Sequence, residues 1–454
     1  MTADDVNVAP DGPHDYCEEM RSLAGQVCAL ATNAGAQHVA ASAGMSRSRK
    51  VVVRDGLVEE VKASTSRGIS LRVYVDGRYG AHSTSDLTPD SLERFVERAV
   101  AMTRVLMPDE YRALPDPSLY ADRRTDDLGV YDPAHGEWTA AARLRRARES
   151  HDAALDAAGD HALSVMGGAS DGVSWSALVN TNGFSDVERY TSAGVSAMVN
   201  VSDPSGKRPS DWFDDSTRSD PSSLDVIGVG RTAAKRALAQ IGATEPSSME
   251  LPLIVENRAI GRLLGGYLSP LSGHSLHQKR SCFAEAMGAP IASKCLTIVD
   301  DPFVYGGWGS SHFDGEGLTA RRQPLIEAGY LKRYFIDTYY GRKLAMAPSG
   351  GGSFNLLFDL GDDDLSGLMK RAGRALLVTS FLGGNSNGTT GDFSHGLRGF
   401  LVEDGTATTP VSGLNLSGNH TEFWHRLVAL GNDPNPGSAT ACPSMLFEPM
   451  AVAG

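Results

Sequence analysis

Few residues in this chain have the type and spacing that chemistry requires. His274 and His277 form the one close histidine pair, in His274-Ser-Leu-His277, while Cys282, Cys295 and His312 lie further along. Zinc takes three or four N, S or O ligands, and helical histidine pairs that hold it are usually spaced i, i+4. The i, i+3 spacing here, flanked by Ser and Gly, fits loop histidines that only hydrogen-bond. Cys442, in Thr440-Ala-Cys-Pro-Ser444, could act as nucleophile or ligand. Asp392 and His395, in Thr390-Gly-Asp-Phe-Ser-His-Gly396, could act as an acid/base pair. An Asp after Gly in a turn also caps backbone N–H groups with no ligand involved. Arg321-Arg322, beside a hairpin over 324–334, could grip a peptide carboxylate bidentately or form a solvated strand edge. HExxH, HExxxH and Walker patterns are absent. Gly228-Val-Gly230 matches the dinucleotide fingerprint loosely but falls inside a helical pattern, so its glycines read as close-packing positions.

The elements that must position these residues are α+β. Apolar positions Met20, Leu23, Ala24, Val27, Leu30 and Ala31 recur at helical spacing up to Asn33. Short strands are expected over 38–42, 50–54, 57–63 and 69–75, with Asp55-Gly56 and Asp76-Gly77 as hairpin turns. A capped helix follows from Thr88 to about Val105. The middle of the chain repeats that order. A helix over 139–158 precedes strands over 163–166, 173–180 and 186–201, a polar loop over 202–221, and a helix over 223–241. Beyond Met249, Gly-rich β structure with hairpins dominates. The apolar run over 375–381 is expected to break at Gly383-Gly384-Asn385, and Gly399-Phe-Leu-Val-Glu-Asp-Gly405 to run into a hairpin. These patterns divide the chain into a disordered tail (1–13), an N-terminal α+β unit (14–107), a linker (108–132), a middle α+β unit (133–245) and a β-rich C-terminal domain (246–454).

The bulk numbers narrow the function classes. In 454 residues, 41% are hydrophobic and 21% charged, the balance of a soluble globular chain, and 50 Gly with 22 Pro favour turn-rich β architecture. A formal charge of -13 argues against nucleic-acid binding, which needs cations to neutralise phosphates. Five scattered cysteines without a CxxC point to reduced thiols and a cytoplasmic setting. No apolar run approaches the ~20 residues that span a bilayer.

Thr390-Gly-Asp-Phe-Ser-His-Gly396 followed by Gly399-Phe-Leu-Val-Glu-Asp-Gly405 resembles the C-terminal signature of the TldD/PmbA family, once called modulators of DNA gyrase. The similarity extends to Phe313-Asp-Gly-Glu-Gly317, Tyr339-Tyr-Gly-Arg-Lys-Leu344, Gly431-Asn-Asp433 and the closing residues 445–454, and is present near 67–77. Active TldD-type members carry His-Glu-x-x-x-His on a helix and a C-terminal Cys as third zinc ligand. The corresponding stretch here, Leu263-Leu-Gly-Gly-Tyr-Leu-Ser-Pro-Leu271, has neither His nor Glu, and only Cys442 matches the third ligand. The resemblance is therefore to the PmbA branch, also called TldE. It implies a noncatalytic subunit, with zinc in a TldD-like partner and none in this chain. The pair, a heterodimer or larger, would trim unfolded peptides, with Thr390, Asp392, His395, Arg321 and Arg322 contacting peptide or partner. Without the partner the chain could form a homodimer. The competing reading is a stand-alone hydrolase or amidase built on Cys442, Asp392 and His395, with His274, His277 and Cys442 as its metal candidates.

Overall fold

The computed structural model describes residues 16–120 and 123–454. The expected tail over 1–13 lies outside the described residues. Helix α1 (Cys17–Asn33) leads into β1 (His38–Arg54), β2 (Leu57–Val75), β3 (Arg78–Thr84) and α2 (Pro89–Thr103). A connector with 3-10 turns follows. Then come α3 (Ala140–Ala158), β4 (Ala162–Asn180), β5 (Ser185–Val201), β6 (Ser210–Thr217) and α4 (Val226–Leu238). The six strands form one antiparallel sheet in the order β3-β2-β1-β4-β5-β6. Two helix–meander–helix units are thus joined edge to edge through β1 and β4.

Asp55-Gly56 and Asp76-Gly77 make the two tight hairpins, with φ of 49° and 81°, then 50° and 68°. Positive φ at both central positions is what a type I′ turn demands. The strands are longer than expected. Residues 38–54 form one strand, not two short ones, as do 57–75 and 162–180, and the loop expected over 202–221 contains β6. The expected gaps are rich in Ser, Gly and Ala, whose small side chains hide the period-2 pattern. Even so, Ala43 and Met45 are buried in register with Val39 and Ala41. Helices cover one face of the sheet; the other carries small polar residues such as Ser42, Ser46, Ser174 and Ser176.

The C-terminal part begins with β7 (Met249–Val255), α5 (Asn257–Leu268) and the short α6 (Gly273–His277), then β8 (Ile298–Asp300), β9 (Gln323–Glu327), β10 (Tyr330–Leu331), α7 (Thr338–Leu344) and β11 (Leu356–Phe358). It ends with α8 (Leu365–Ala372), β12 (Ala375–Ser386), β13 (Asp392–Glu403), β14 (Thr406–Asn419), α9 (His420–Phe423), β15 (Leu427–Leu430) and β16 (Met445–Ala453). The main sheet runs β14-β13-β12-β7-β16-β15, and a further β14–β16 pairing closes it into a barrel. Gly383-Gly384 does not end β12: the ladder shifts register between Leu382 and Asn385 and continues. The bulge works because Gly384 lies against the backbone of Ser394, where a Cβ would collide. The α+β class and the β-rich C-terminal domain are as expected.

Charge pairs fix α4 to the barrel. Arg236 donates bidentately to Glu256 at 2.6 and 2.9 Å. Arg398 on β13 reaches the Gln240 side chain (2.8 Å) and the Ser210 carbonyl (3.0 Å).

Candidate functional site around helix α5

Helix α5 starts where β7 meets the loop before β16. The Ser444 hydroxyl accepts the Asn257 N–H at 3.0 Å and donates to Asp433 at 2.7 Å, and the Asn257 side chain donates to the Asp433 carbonyl at 2.7 Å. Gly431-Asn-Asp433 therefore pins the start of α5 beside the segment that carries Cys442. One face of α5 (Ala259, Ile260, Leu263, Tyr267) is core. The other (Arg258, Gly261, Leu264, Gly265, Leu268) lines a cavity of about 510 Å³ with Phe335, Leu356 and Cys442. The face turned to Cys442 thus begins more than a turn before Leu263, where the sequence match placed it. Leu263 and Tyr267, inside that match, point into the core. A Cβ at Gly261 or Gly265 would meet nothing within 4 Å, so both glycines leave the cavity open.

This donor set does not fit a zinc ion. Cys442 alone of the metal-binding residue types lines the cavity, and burial pushes its thiol up to about 12, away from the thiolate that binds metal. Among the described residues no group of three or more His, Cys, Asp or Glu is placed to hold a metal. His274 and His277 lie on α6, a helix and not the expected loop, beside the Tyr340 ring, with His274 Nδ1 2.7 Å from its hydroxyl.

Two further cavities lie beside the first, sharing wall residues in sequence. One of about 610 Å³ shares Gly351, Gly352 and Ser353 with it and reaches Ser42 and Ser176 on the helix-free face of the large sheet. Another of about 960 Å³ shares Glu188, Tyr190, Ser311 and Phe313 with the second. The middle cavity is acidic: Glu188, Asp314, Glu316 and Asp337 line it, with Arg72 as its one cation. Burial pushes Asp314 up to about 6, and burial likewise raises Glu188 despite hydrogen bonds from Ser311 and Tyr190.

The remaining candidates are not brought together. Asp392 is exposed at the start of β13; its carboxylate accepts the Thr390 hydroxyl (2.7 Å) and the Asn419 amide (2.9 Å). These bonds hold it below the usual carboxylate range and clamp the loop. His395, three residues along the same strand, faces inward, with Nδ1 3.1 Å from the Gly383 carbonyl and Nε2 3.4 Å from Ser386 Oγ. Arg321 is exposed, and Arg322 pairs with Asp301 at 3.0 Å. Among the described residues, no hydrogen bond or ring contact joins Cys442 to Asp392 or His395.

Sequence reading missed His420. Its Nε2 lies 3.1 Å from Ser386 Oγ, so that hydroxyl sits between two buried histidines behind α5, and the Trp424 indole donates to His420 Nδ1 at 3.3 Å. The β13–β14 register opposes Asp392 to Asn419, which brings His420 to His395 although 25 positions separate them; no local pattern signals it. Burial, then the nearby His395, lowers His420 to about 4 from 6.5. The folded state thus resists protonation that the unfolded chain accepts, and stability should fall as pH drops from 6.5 to 4. The expected loss is about 3 kcal/mol. Denaturant titrations of His420→Gln should show a flatter profile across that window.

Comparison with known proteins places the whole chain. Residues 248–454 match the PmbA/TldA metallopeptidase C-terminal domain, residues 40–103 its domain 1 and residues 135–241 its central domain. The chain is 29% identical to Metalloprotease PmbA of Escherichia coli O157:H7 over 408 residues, 89% of each chain. A solved structure from Bacteroides thetaiotaomicron, described as a modulator of DNA gyrase, superposes with a TM-score of 0.93 at 33% identity, covering 97% of this chain and all of that one. TldE from Thermococcus kodakarensis superposes with a TM-score of 0.82 at 21% identity, covering 95% of this chain and 100% of that one, a likeness of fold. With the three domains matched in order along the chain, this protein belongs to the PmbA/TldD metallopeptidase family.

Proposed function

We propose that this chain is the noncatalytic, TldE-type subunit of a peptidase whose other subunit, TldD-like, holds the zinc. The observation that carries the reading is the face of α5 opposite Cys442. Arg258, Gly261, Leu264, Gly265 and Leu268 stand there, and none can hold a metal or serve as a general base. A cavity of mixed polar and apolar lining that adjoins an acidic one at Gly351–Ser353 suits an unfolded peptide lying in extended form. Backbone recognition of such a peptide would need little sequence. This chain would supply chamber walls and partner contacts, with its acidic cavity favouring basic peptides.

The test is reconstitution. The isolated chain should leave unfolded peptides intact. Mixed with a TldD-like subunit, it should raise cleavage at least tenfold over that subunit alone, and a chelator should abolish the gain. Metal-independent cleavage by the isolated chain, lost in Cys442→Ala, would refute the proposal in favour of a stand-alone hydrolase.

A further inference from the structure

The cavity of about 960 Å³ lies along the edge of β5 and meets the acidic one at Glu188, Tyr190, Ser311 and Phe313. Strand β6 pairs with β5 only from Ala193 to Asn200, so residues 186–190 reach this cavity past the end of β6. The connector before α3 and the segment 310–313 supply facing walls.

Two polar atoms of the lining residues have no partner among the described residues. Trp175 on β4 is 2% exposed, and its indole N–H donates to nothing. A buried indole ordinarily finds an acceptor. His312 Nε2 lies 2.8 Å from the Asp126 carbonyl and donates to it, so Nδ1 of the neutral ring is an acceptor, and no donor reaches it. Both residues line the cavity. An occupant that satisfies both accepts at Trp175 and donates at His312.

The charge beside Trp175 selects the kind of acceptor. Arg189 is its cross-strand partner, and the Arg47 guanidinium carbon stands 6.0 Å from the Trp175 ring and 5.0 Å from that of Tyr16. Arg189 lies over the Tyr131 ring at 4.3 Å. A guanidinium over a ring face keeps its N–H groups directed outward in its own plane, where they grip a carboxylate. The cavity's own carboxylates are engaged. Asp126 meets Arg124 at 2.6 Å and Asp186 meets Arg123 at 2.8 Å, while Asp127 accepts Gly129 N–H at 2.9 Å and Glu188 accepts the Ser311 hydroxyl.

We propose that this cavity holds the C-terminal carboxylate of an unfolded peptide. Trp175, Arg47 and Arg189 surround the carboxylate, and His312 Nδ1 accepts a backbone N–H of the same peptide. The end of a peptide carries both groups close together, whereas a simple carboxylate ion has no N–H to give. The rest of the peptide then enters the acidic cavity, which suits its basic side chains. This inference rests on the peptidase reading and names the end of the peptide that this chain holds.

The test titrates the isolated full chain, by calorimetry, with an N-acetylated peptide of Lys, Ala and Gly that ends in a free carboxylate. The same peptide ending in a carboxamide keeps the acceptor and the N–H but loses the charge, and should bind about tenfold more weakly. Arg189→Gln, at an exposed position, should remove most of that preference. Trp175→Phe keeps a ring without the donor and should weaken binding of the acid about fivefold. Circular dichroism checks that both variants are folded. Equal binding of acid and amide, binding of neither, or a preference untouched by Arg189→Gln overturns the proposal. So does an acid that binds only a chain lacking residues 1–13, because the chain's own Asp4, Asp5 and Asp11 would then fill the site. Reconstituted cleavage can fail while carboxylate binding by the isolated chain holds, and the reverse, so the two readings stand or fall apart.

Discussion

Arg333→Met is expected to destabilise the C-terminal domain by about 3–5 kcal/mol. Arg333 lies just after β10 and is nearly buried; its guanidinium donates to Asp300 Oδ2 at 2.6 Å and to the Ser349 carbonyl at 2.6 Å. Asp300 ends β8 with no exposed surface, and its other carboxylate oxygen accepts the Phe354 N–H at 2.8 Å. Methionine keeps the volume but leaves a buried carboxylate without its cation. Burial already holds Asp300 above the usual carboxylate range, with Arg333 pulling the other way, so losing Arg333 raises it further. A carboxyl raised in the folded state loses stability as pH rises through that value. The deficit of Arg333→Met should therefore be smaller near pH 4 than at pH 7. Asp300→Asn in the same chain should recover part of it. Denaturant unfolding at both pH values checks this, and a deficit under about 1 kcal/mol at pH 7 would mean that water reaches Asp300. The pair also holds the 349–354 segment, so the Gly351–Ser353 bridge between the cavities should loosen with it.

Trp424→Ala should cost a similar amount, about 3–5 kcal/mol. The indole has no exposed surface. It stacks on Tyr267 at 4.6 Å between centroids and meets Phe423 and Phe447 edge-on at 5.6 and 5.9 Å. Tyr267 belongs to the core face of α5, so the cavity left behind lies directly under the helix whose other face turns to Cys442. The change also removes the indole donor from His420 Nδ1. Trp424→Phe, which keeps a ring but not the donor, should cost less. The midpoint and slope of denaturant unfolding for both variants measure this. If the two proved equally destabilised, the lost hydrogen bond and not the void would be the larger effect.

The sequence alone determined the local geometry of this protein. Asp-Gly pairs became tight hairpins because positive φ is a property of two residues. The amphipathic helices over 17–33 and 89–103 formed because their apolar faces repeat every turn. Ordered motif matches from 313 to 454 carried the family, and the missing His and Glu near Leu263 could be read directly.

Tertiary structure decided what depends on residues far apart in the chain. It merged the short strands into 17- and 19-residue ones, since Ser, Gly and Ala keep their place in a ladder when neighbouring strands supply the hydrogen bonds. It chose which face of α5 meets Cys442, because the Asn257–Asp433–Ser444 bonds set the helix rotation and Gly261 carries no side chain to announce its role. It put Ser386 between His395 and His420 through the register of β12, β13 and β14. Local pattern records which way one residue faces its own strand or helix; which distant residue it meets is set by register and packing, and those exist only once the chain has folded.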